Sequence, residues 1–411
     1  MNYPLVRISQ GRAGEVLQCV RLRTSLRSKD GWFRKRRSDD CFIYYRHVMG
    51  RLSDPLLSLA RLLFVCMLAA SHLAWAQPPG SELGLPAAMP SRARAESGQV
   101  VALGRRLFFD VRLSRNGEVS CASCHQPDRA FADGRRVAVG IRGQKGTRNT
   151  PSIINAALHE TQFWDGRRPS LEEQAADPFV NPIEHGLPDH AALLALIRSN
   201  RRYAQDFADA FGVTPSSISM KEVTRALAGF VSSLASGNSP FDRYMYANER
   251  SALSPAAERG LELFRGRAQC AACHKIGQQS ATFTDNQFHG VGVGLEDVAP
   301  KLAAIASRVA RTSMDDIGPL VSQDAEVSAL GRFLVTRNPA DIGKFRTPTL
   351  RNVAHTAPYM HDGSVPTLQD AVDRELYYRG QALGRPLVLT PAERRDLVYF
   401  LESLTSSRLP Q

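Results

Sequence analysis

Cys121-Ala122-Ser123-Cys124-His125 returns in the second half of the chain as Cys270-Ala271-Ala272-Cys273-His274. In C-x-x-C-H the two thiols can add to the vinyl groups of a haem while the adjacent histidine reaches the iron, so two copies imply two covalently bound c-type haems. A zinc ribbon also pairs cysteines, but about 15–20 residues apart; here the pairs begin at residues 121 and 270. A thioredoxin-like site needs one pair in a βαβ setting and does not call for the histidine.

Each motif has the same flanks. Gly104-Arg105-Arg106-Leu107-Phe108 precedes the first and Gly260-Leu261-Glu262-Leu263-Phe264 the second, while Phe230 with Leu234 and Phe400 with Leu404 close the two halves. Three ordered elements repeated in register point to duplication. The spacing of Val100, Leu103, Leu107 and Phe108 predicts a helix from near Glu96 to Phe109. Asp189 reads as the cap of a helical segment carrying Leu193, Leu196, Ile197, Tyr203 and Phe207. Ser219 and Glu222 form a capping box for a helix stopping at Gly237. Ser254-Pro255 and Thr390-Pro391-Ala392-Glu393 open two more. Gly134 to Pro151 is too glycine-rich for helix, and strand signals are few. The expected fold is mostly α: two helical domains, 97–250 and 251–408, each resembling the small cytochrome c fold and holding one haem, after a flexible linker over 77–96.

The stretch from Leu56 to Ala76, LLSLARLLFVCMLAASHLAWA, follows Arg51 and ends in an A-x-A pattern. It reads as an export signal cut near Ala76/Gln77 rather than a membrane anchor, because Arg61 interrupts it. The 48 residues before Met49 are basic and lack an apolar period, and translation is expected to start at Met49. Residues 1–76 hold 13 Lys/Arg against 5 Asp/Glu, so +8 of the net +12 belongs to this leader and the exported part carries +4. The basic balance therefore does not argue for nucleic-acid binding, and none is expected. Cys19, Cys41 and Cys66 lie in the leader and the other four cysteines are in the motifs. No thiol is left over to react in an oxidising compartment. The expected location is the periplasm, with no stable membrane anchor after cleavage.

LFFDVRLSRNGEVSCASCHQPDRAFADG, TRNTPSIINAA, FWDGR, LEEQAADPFVNPIEHG, FTDNQFHGVGVG and KFRTPTLRNVAHTAPYMHDG, in that order, resemble the bacterial di-haem cytochrome c peroxidases and their MauG-like branch, from about Leu103 to Leu404. The resemblance implies an enzyme that reacts with hydrogen peroxide at the first haem, which keeps an open face, and draws electrons through the second. It puts Trp164 at the bridging position, Gln174, Pro178 and Glu184 in the distal pocket, and Asn149, Thr356 and Pro358 around a calcium ion. The electron source would be a small cytochrome c or cupredoxin, or a protein substrate being oxidised.

Splitting an O–O bond calls for a group that takes a proton from one oxygen and returns it to the other. A carboxyl whose pKa is raised by desolvation suits that task. Glu184, beside Pro182, Ile183 and Gly186, is the choice; taken without the resemblance it reads as a surface-loop glutamate. His185 is the adjacent histidine, and His159, His190, His289 and His355 each read as structural.

Two departures separate the chain from the peroxidase branch. The loop that in peroxidases carries a histidine ligand to the first haem reads Val139-Gly140-Ile141-Arg142-Gly143, and no histidine occurs between His125 and His159. The first haem should therefore be open without reductive activation. Where peroxidases place a methionine over the second haem, this chain has Asp373-Arg374-Glu375-Leu376-Tyr377-Tyr378-Arg379-Gly380. Tyr377 is the expected sixth ligand by resemblance to the MauG-like branch, with Tyr378 and Met360 as alternatives. Ala268 stands where the methylamine-utilisation member has a tryptophan facing its substrate. A non-enzymatic di-haem electron carrier is the competing reading.

Overall fold

The structure, a computed structural model, describes residues 82–86 and 96–410; the expected export signal and its cleavage site lie outside the described residues. In the first half the principal helices are α1 (Gly98–Phe109), α2 (Leu171–Val180), α3 (His190–Ser199), α4 (Arg201–Phe211) and α5 (Met220–Ser233). In the second they are α6 (Pro255–Arg265), α7 (Leu302–Ala310), α8 (Met314–Gln323), α9 (Leu368–Ala382) and α10 (Pro391–Glu402). Two short antiparallel strands, β1 (Phe288–Gly290) and β2 (Lys344–Arg346), pair with His289 opposite Phe345. The fold is mostly helical, as expected.

The repeated G-x-x-L-F and F-x-x-x-L signatures meet at two helix crossings. At Gly104 of α1 a Cβ would lie 1.9 Å from the Ala226 carbonyl oxygen of α5; at Gly260 of α6 it would lie 2.0 Å from the Asp396 carbonyl oxygen of α10. Only glycine lets the two backbones approach so closely. Beside each crossing the aromatic pair is also repeated, Phe108 against Phe230 at 5.1 Å and Phe264 against Phe400 at 4.9 Å. One apolar cluster gathers Val100, Leu107, Phe131, Phe207, Val223 and Phe230; a second gathers Phe241, Phe264, Phe283, Leu376, Phe400 and Leu404. A third, from Val298 to Leu334, is built on α7 and α8. Gly260→Ala is expected to destabilise the holoprotein by about 1–3 kcal/mol through overpacking, read as a lower thermal midpoint.

Three local expectations differ from what is observed. The segment after Asp189 is two helices: the Asn200 side chain accepts from the Arg202 and Tyr203 N–H groups and starts α4, leaving Leu196 41% exposed. Helix α5 stops at Ser233, not Gly237, because Leu234 turns inward and its carbonyl accepts from the Asn155 N–H at 3.0 Å. Residues 82–86 are not a loose linker. Leu85 is buried, the Leu83 carbonyl accepts from the Asn238 N–H, and the Gly84 carbonyl accepts from Arg351 Nη2 at 2.7 Å.

Candidate functional site

The two C-x-x-C-H motifs are held by near-identical surroundings. His125 Nδ1 lies 3.0 Å from the Phe131 carbonyl oxygen, and His274 Nδ1 lies 2.8 Å from the Phe283 carbonyl oxygen. Both phenylalanines have positive φ, 56° and 51°, which turns their carbonyls back onto the rings. Such a bond puts the proton on Nδ1 and leaves Nε2 free for a metal. Phe108 and Phe264 each sit 6.4 Å from the respective histidine ring. Burial lowers the pKa of both histidines, which favours the neutral, metal-binding form.

A cavity opens beside the first motif. Its lining includes Cys121, Cys124, His125, Gln174, Pro178 and Glu184. Gln174 and Pro178 lie one turn apart on α2, so both face it. After α2 the chain doubles back, with the His185 N–H donating to the Pro178 carbonyl and the Leu187 N–H to the Phe179 carbonyl, which turns Glu184 into the same space. Asn181 Nδ2 donates to Glu184 Oε1 at 2.7 Å. Burial pushes the Glu184 carboxyl up to about 7. His185 is buried, its Nδ1 3.1 Å from the Leu113 carbonyl oxygen and its ring edge-on to Phe179. It takes a structural position. The Val139–Gly143 loop packs directly on this segment: the Ile141 N–H donates to the Ile183 carbonyl at 3.0 Å, and a Cβ at Gly140 would meet that carbonyl oxygen at 1.8 Å.

The lining fits a haem on a second count. His159, Arg167 and Arg346 face the cavity, and His159 Nε2, Arg167 Nε and Arg346 Nε are buried without a hydrogen-bond partner among the described residues. The two guanidinium groups are buried donors of positive sign, the complement of carboxylates such as haem propionates, and His159, kept neutral by burial and by Arg346, adds an unpaired ring nitrogen. Burial lowers the Arg346 guanidinium to about 10. Sequence reading missed Arg346 and treated His159 as structural, since they sit in separate loops with no motif spacing between them.

Trp164 also lines the cavity. Its Nε1 donates to the Asn149 carbonyl at 3.0 Å, and its own carbonyl accepts from the Arg346 N–H at 2.9 Å, joining the FWDGR loop to β2. The aspartate of that motif, Asp165, is buried between Arg148 at 2.7 Å and Arg167 at 3.1 Å, and is held down to about 2 by those guanidinium groups against the cost of burial. Among the calcium candidates, Asn149 reaches the loop that holds Thr356 and Pro358 through its N–H, which donates to the His361 carbonyl at 2.8 Å; its side-chain amide donates to the Arg135 carbonyl. Thr356 Oγ1 donates to the Val353 carbonyl at 3.1 Å.

Around the second motif the placement bears on one expectation. Tyr377 is 60% exposed and lines a separate cleft with Asp373, Leu376, Gly380 and Leu387. The reason is helical phase: α9 buries Val372, Leu376 and Gly380, and position 377 falls on its outer side. Tyr378 donates to Glu296 Oε1 at 3.2 Å. Met360 has φ 71° in the turn before His361, which stacks on Phe345 at 3.6 Å. Ala268 is buried, so that position does not reach the surface. His289 pairs with Asp285 at 2.9 Å beside Cys273.

When bound, a haem at the first motif supplies an iron centre on which the O–O bond of a peroxide can be split. Glu184 is placed to hold and move a proton in the same cavity.

Known proteins resemble this chain in sequence and in fold. A family model described as di-haem cytochrome c peroxidase matches residues 98–250. The cytochrome-c peroxidase IdrP1 of Pseudomonas sp. (strain SCT) is 34% identical, with 85% of this chain and 91% of that protein covered. The methylamine utilization protein MauG of Methylophilus methylotrophus is 32% identical, over 85% of this chain and 96% of that protein. Among solved structures, a MauG-like protein associated with microbial copper homeostasis aligns with TM-score 0.62 and 33% identity over 81% of this chain and 95% of its own. The diheme peroxidase BthA from Burkholderia thailandensis E264 aligns with TM-score 0.60 and 27% identity, covering 78% and 89%. With two C-x-x-C-H motifs beside matched helix crossings and relatives of this identity over most of its length, the chain belongs to the di-haem cytochrome c peroxidase family, a family of oxidoreductases.

Proposed function

We propose that this enzyme takes hydrogen peroxide at the Cys121–His125 site, with Glu184 as its acid/base group, and that the Cys270–His274 site is the electron-relay partner. The observation that carries the reading is the enclosure of Glu184 with Cys121, Cys124 and His125 in one cavity. Glu184 accepts a proton from the nearer peroxide oxygen and returns it to the farther one. Asn181 holds its carboxylate in place, and Gln174 and Pro178 shape the facing wall. The Val139–Gly143 loop has no histidine to offer, which supports a first haem that is open as isolated. Trp164 is the bridging residue of this reading. Asn149, Thr356 and Pro358 are proposed to hold calcium. The described helices include none long and apolar enough to cross a membrane. The enzyme of this reading is periplasmic, exported by cleavage near Ala76. The exported chain is divided into domains at 97–250 and 251–408.

The electrons come from a small cytochrome c or cupredoxin, or from a side chain of a protein substrate; buried Ala268 offers no aromatic exit. The as-isolated ferric protein is expected to show one high-spin haem and, on adding peroxide, a two-electron-oxidised state. Two low-spin, six-coordinate haems that ignore peroxide would overturn the reading in favour of an electron carrier.

A further inference from the structure

We infer that Glu375 is the side chain that faces the second haem from the side opposite His274, with Arg379 as its counter-charge, and that this carboxylate rather than Tyr377 is the haem's axial partner. The inference rests on haem attachment at Cys270 and Cys273.

The argument begins with helix α9. Val372, Leu376 and Gly380 form its buried line against the second core, and Glu375 and Arg379, four residues apart, form the line beside it. Tyr377 is two residues beyond Glu375, about 200° round the helix, and points to solvent. The charges of Glu375 and Arg379 both act on the Cys270 and Cys273 thiols, which mark one edge of the haem. His274 is acted on by Asp285 and His289 and not by Glu375, while Asp285 reaches Cys273 as well.

The first site has the same division. Glu184 acts on both Cys121 and Cys124 and not on His125, while Asp133 acts on His125 and on Cys124. Each motif thus has one carboxylate that acts on both of its cysteines but not on its histidine. Burial pushes both carboxyls up to about 7. Arg379 Nε is buried with no hydrogen-bond partner among the described residues, so this guanidinium has capacity left for an anion. Tyr378 cannot replace Glu375 without giving up its bond to Glu296 and its packing over Gly292.

A carboxylate is a hard anion that favours ferric iron; a neutral amide or a thioether in its place raises the reduction potential. The test uses the full holoprotein and four forms: wild type, Glu375→Gln, Glu375→Met and Tyr377→Phe. Each is assayed for haem stoichiometry, ferric electron paramagnetic resonance and absorption spectra, and midpoint potentials. Two haems per chain, with a peroxide-reactive first haem in the wild type, establish the underlying reading; fewer haems or no reaction would mean that reading fails. Given both, Glu375→Gln and Glu375→Met are expected to alter the signature of one haem and raise its potential, with the larger rise for Met, while Tyr377→Phe leaves both haems unchanged. If Tyr377→Phe moves the spectrum and Glu375→Gln does not, the inference is wrong and tyrosine is the partner. Unchanged spectra and potentials in both Glu375 variants would also overturn it.

Discussion

Glu184→Gln is expected to leave two haems attached and to slow the reaction with hydrogen peroxide by about 10²–10⁴-fold, the range of a positioned acid–base group. The amide keeps the shape of the side chain, and Asn181 can still bond its oxygen, so the loss reports proton transfer and not packing. The pH profile separates this from a structural effect. Burial raises the Glu184 carboxyl to about 7, and the group must be ionised to take the first proton. The wild-type rate constant should therefore fall as pH drops through about 7, and the variant should lack that limb. The same shift has a stability consequence of opposite sense. The fold favours the neutral carboxyl, so its contribution is full below the ordinary carboxylate range near 4.5 and is lost as pH rises through about 7. A stopped-flow rate equal to wild type at every pH would remove Glu184 from the mechanism.

The largest expected effect on stability is at Arg351. Its guanidinium makes two bonds to Asp242, at 2.8 and 2.9 Å, and two more to the carbonyls of Ala281 and Gly84, with both side chains essentially inaccessible to water. Arg351→Ala would leave the buried Asp242 carboxylate without a counter-charge, held only by the Ser239 N–H and hydroxyl, and is expected to cost about 3–5 kcal/mol, measured by denaturant unfolding of the holoprotein. A double variant that also replaces Asp242 by Asn should recover part of that loss, because the stranded charge is what dominates it. By contrast, removing the more exposed Arg225, which pairs with Glu96 at 2.7 Å, should change stability by at most about 1 kcal/mol.

The helices were readable where a chemical signature set them. Asp189, Ser219, Ser254 and Thr390 each cap a helix through the side-chain oxygen that marked it in the sequence. The glycines of the repeated flanks proved to be the points where two backbones touch. Asn200 was not readable as a break, because an asparagine inside an apolar period acts as a cap only when its side chain wins the N–H groups that follow. Gly237 misled for a related reason: the helix end is decided by where Leu234 can bury itself, not by the nearest glycine. At the site, Glu184 could be picked out through the resemblance, which put it with Gln174 and Pro178 in one segment; without it a loop glutamate carries no such mark. Glu375 was passed over, although it stood in the segment being searched. The resemblance selects a residue type, whereas the phase of α9 selects which residue faces inward, and that phase is fixed by Val372 and Leu376 packing against the core. Arg346 and His159 come from loops far apart in the chain and meet only when β2 and the FWDGR loop join.

The carbonyls of Phe131 and Phe283 carry one more consequence. They grip the two imidazoles at nearly equal lengths, beneath equally placed phenyl rings. With haems bound, this hydrogen bond would tune the two imidazoles alike and would not by itself set one redox potential apart from the other. An asymmetry in voltage or reactivity between the two centres would then be written elsewhere, in the Asp285–His289 pair beside the second motif and on the faces away from the histidines, where substitutions could shift the roles of the halves without touching either histidine.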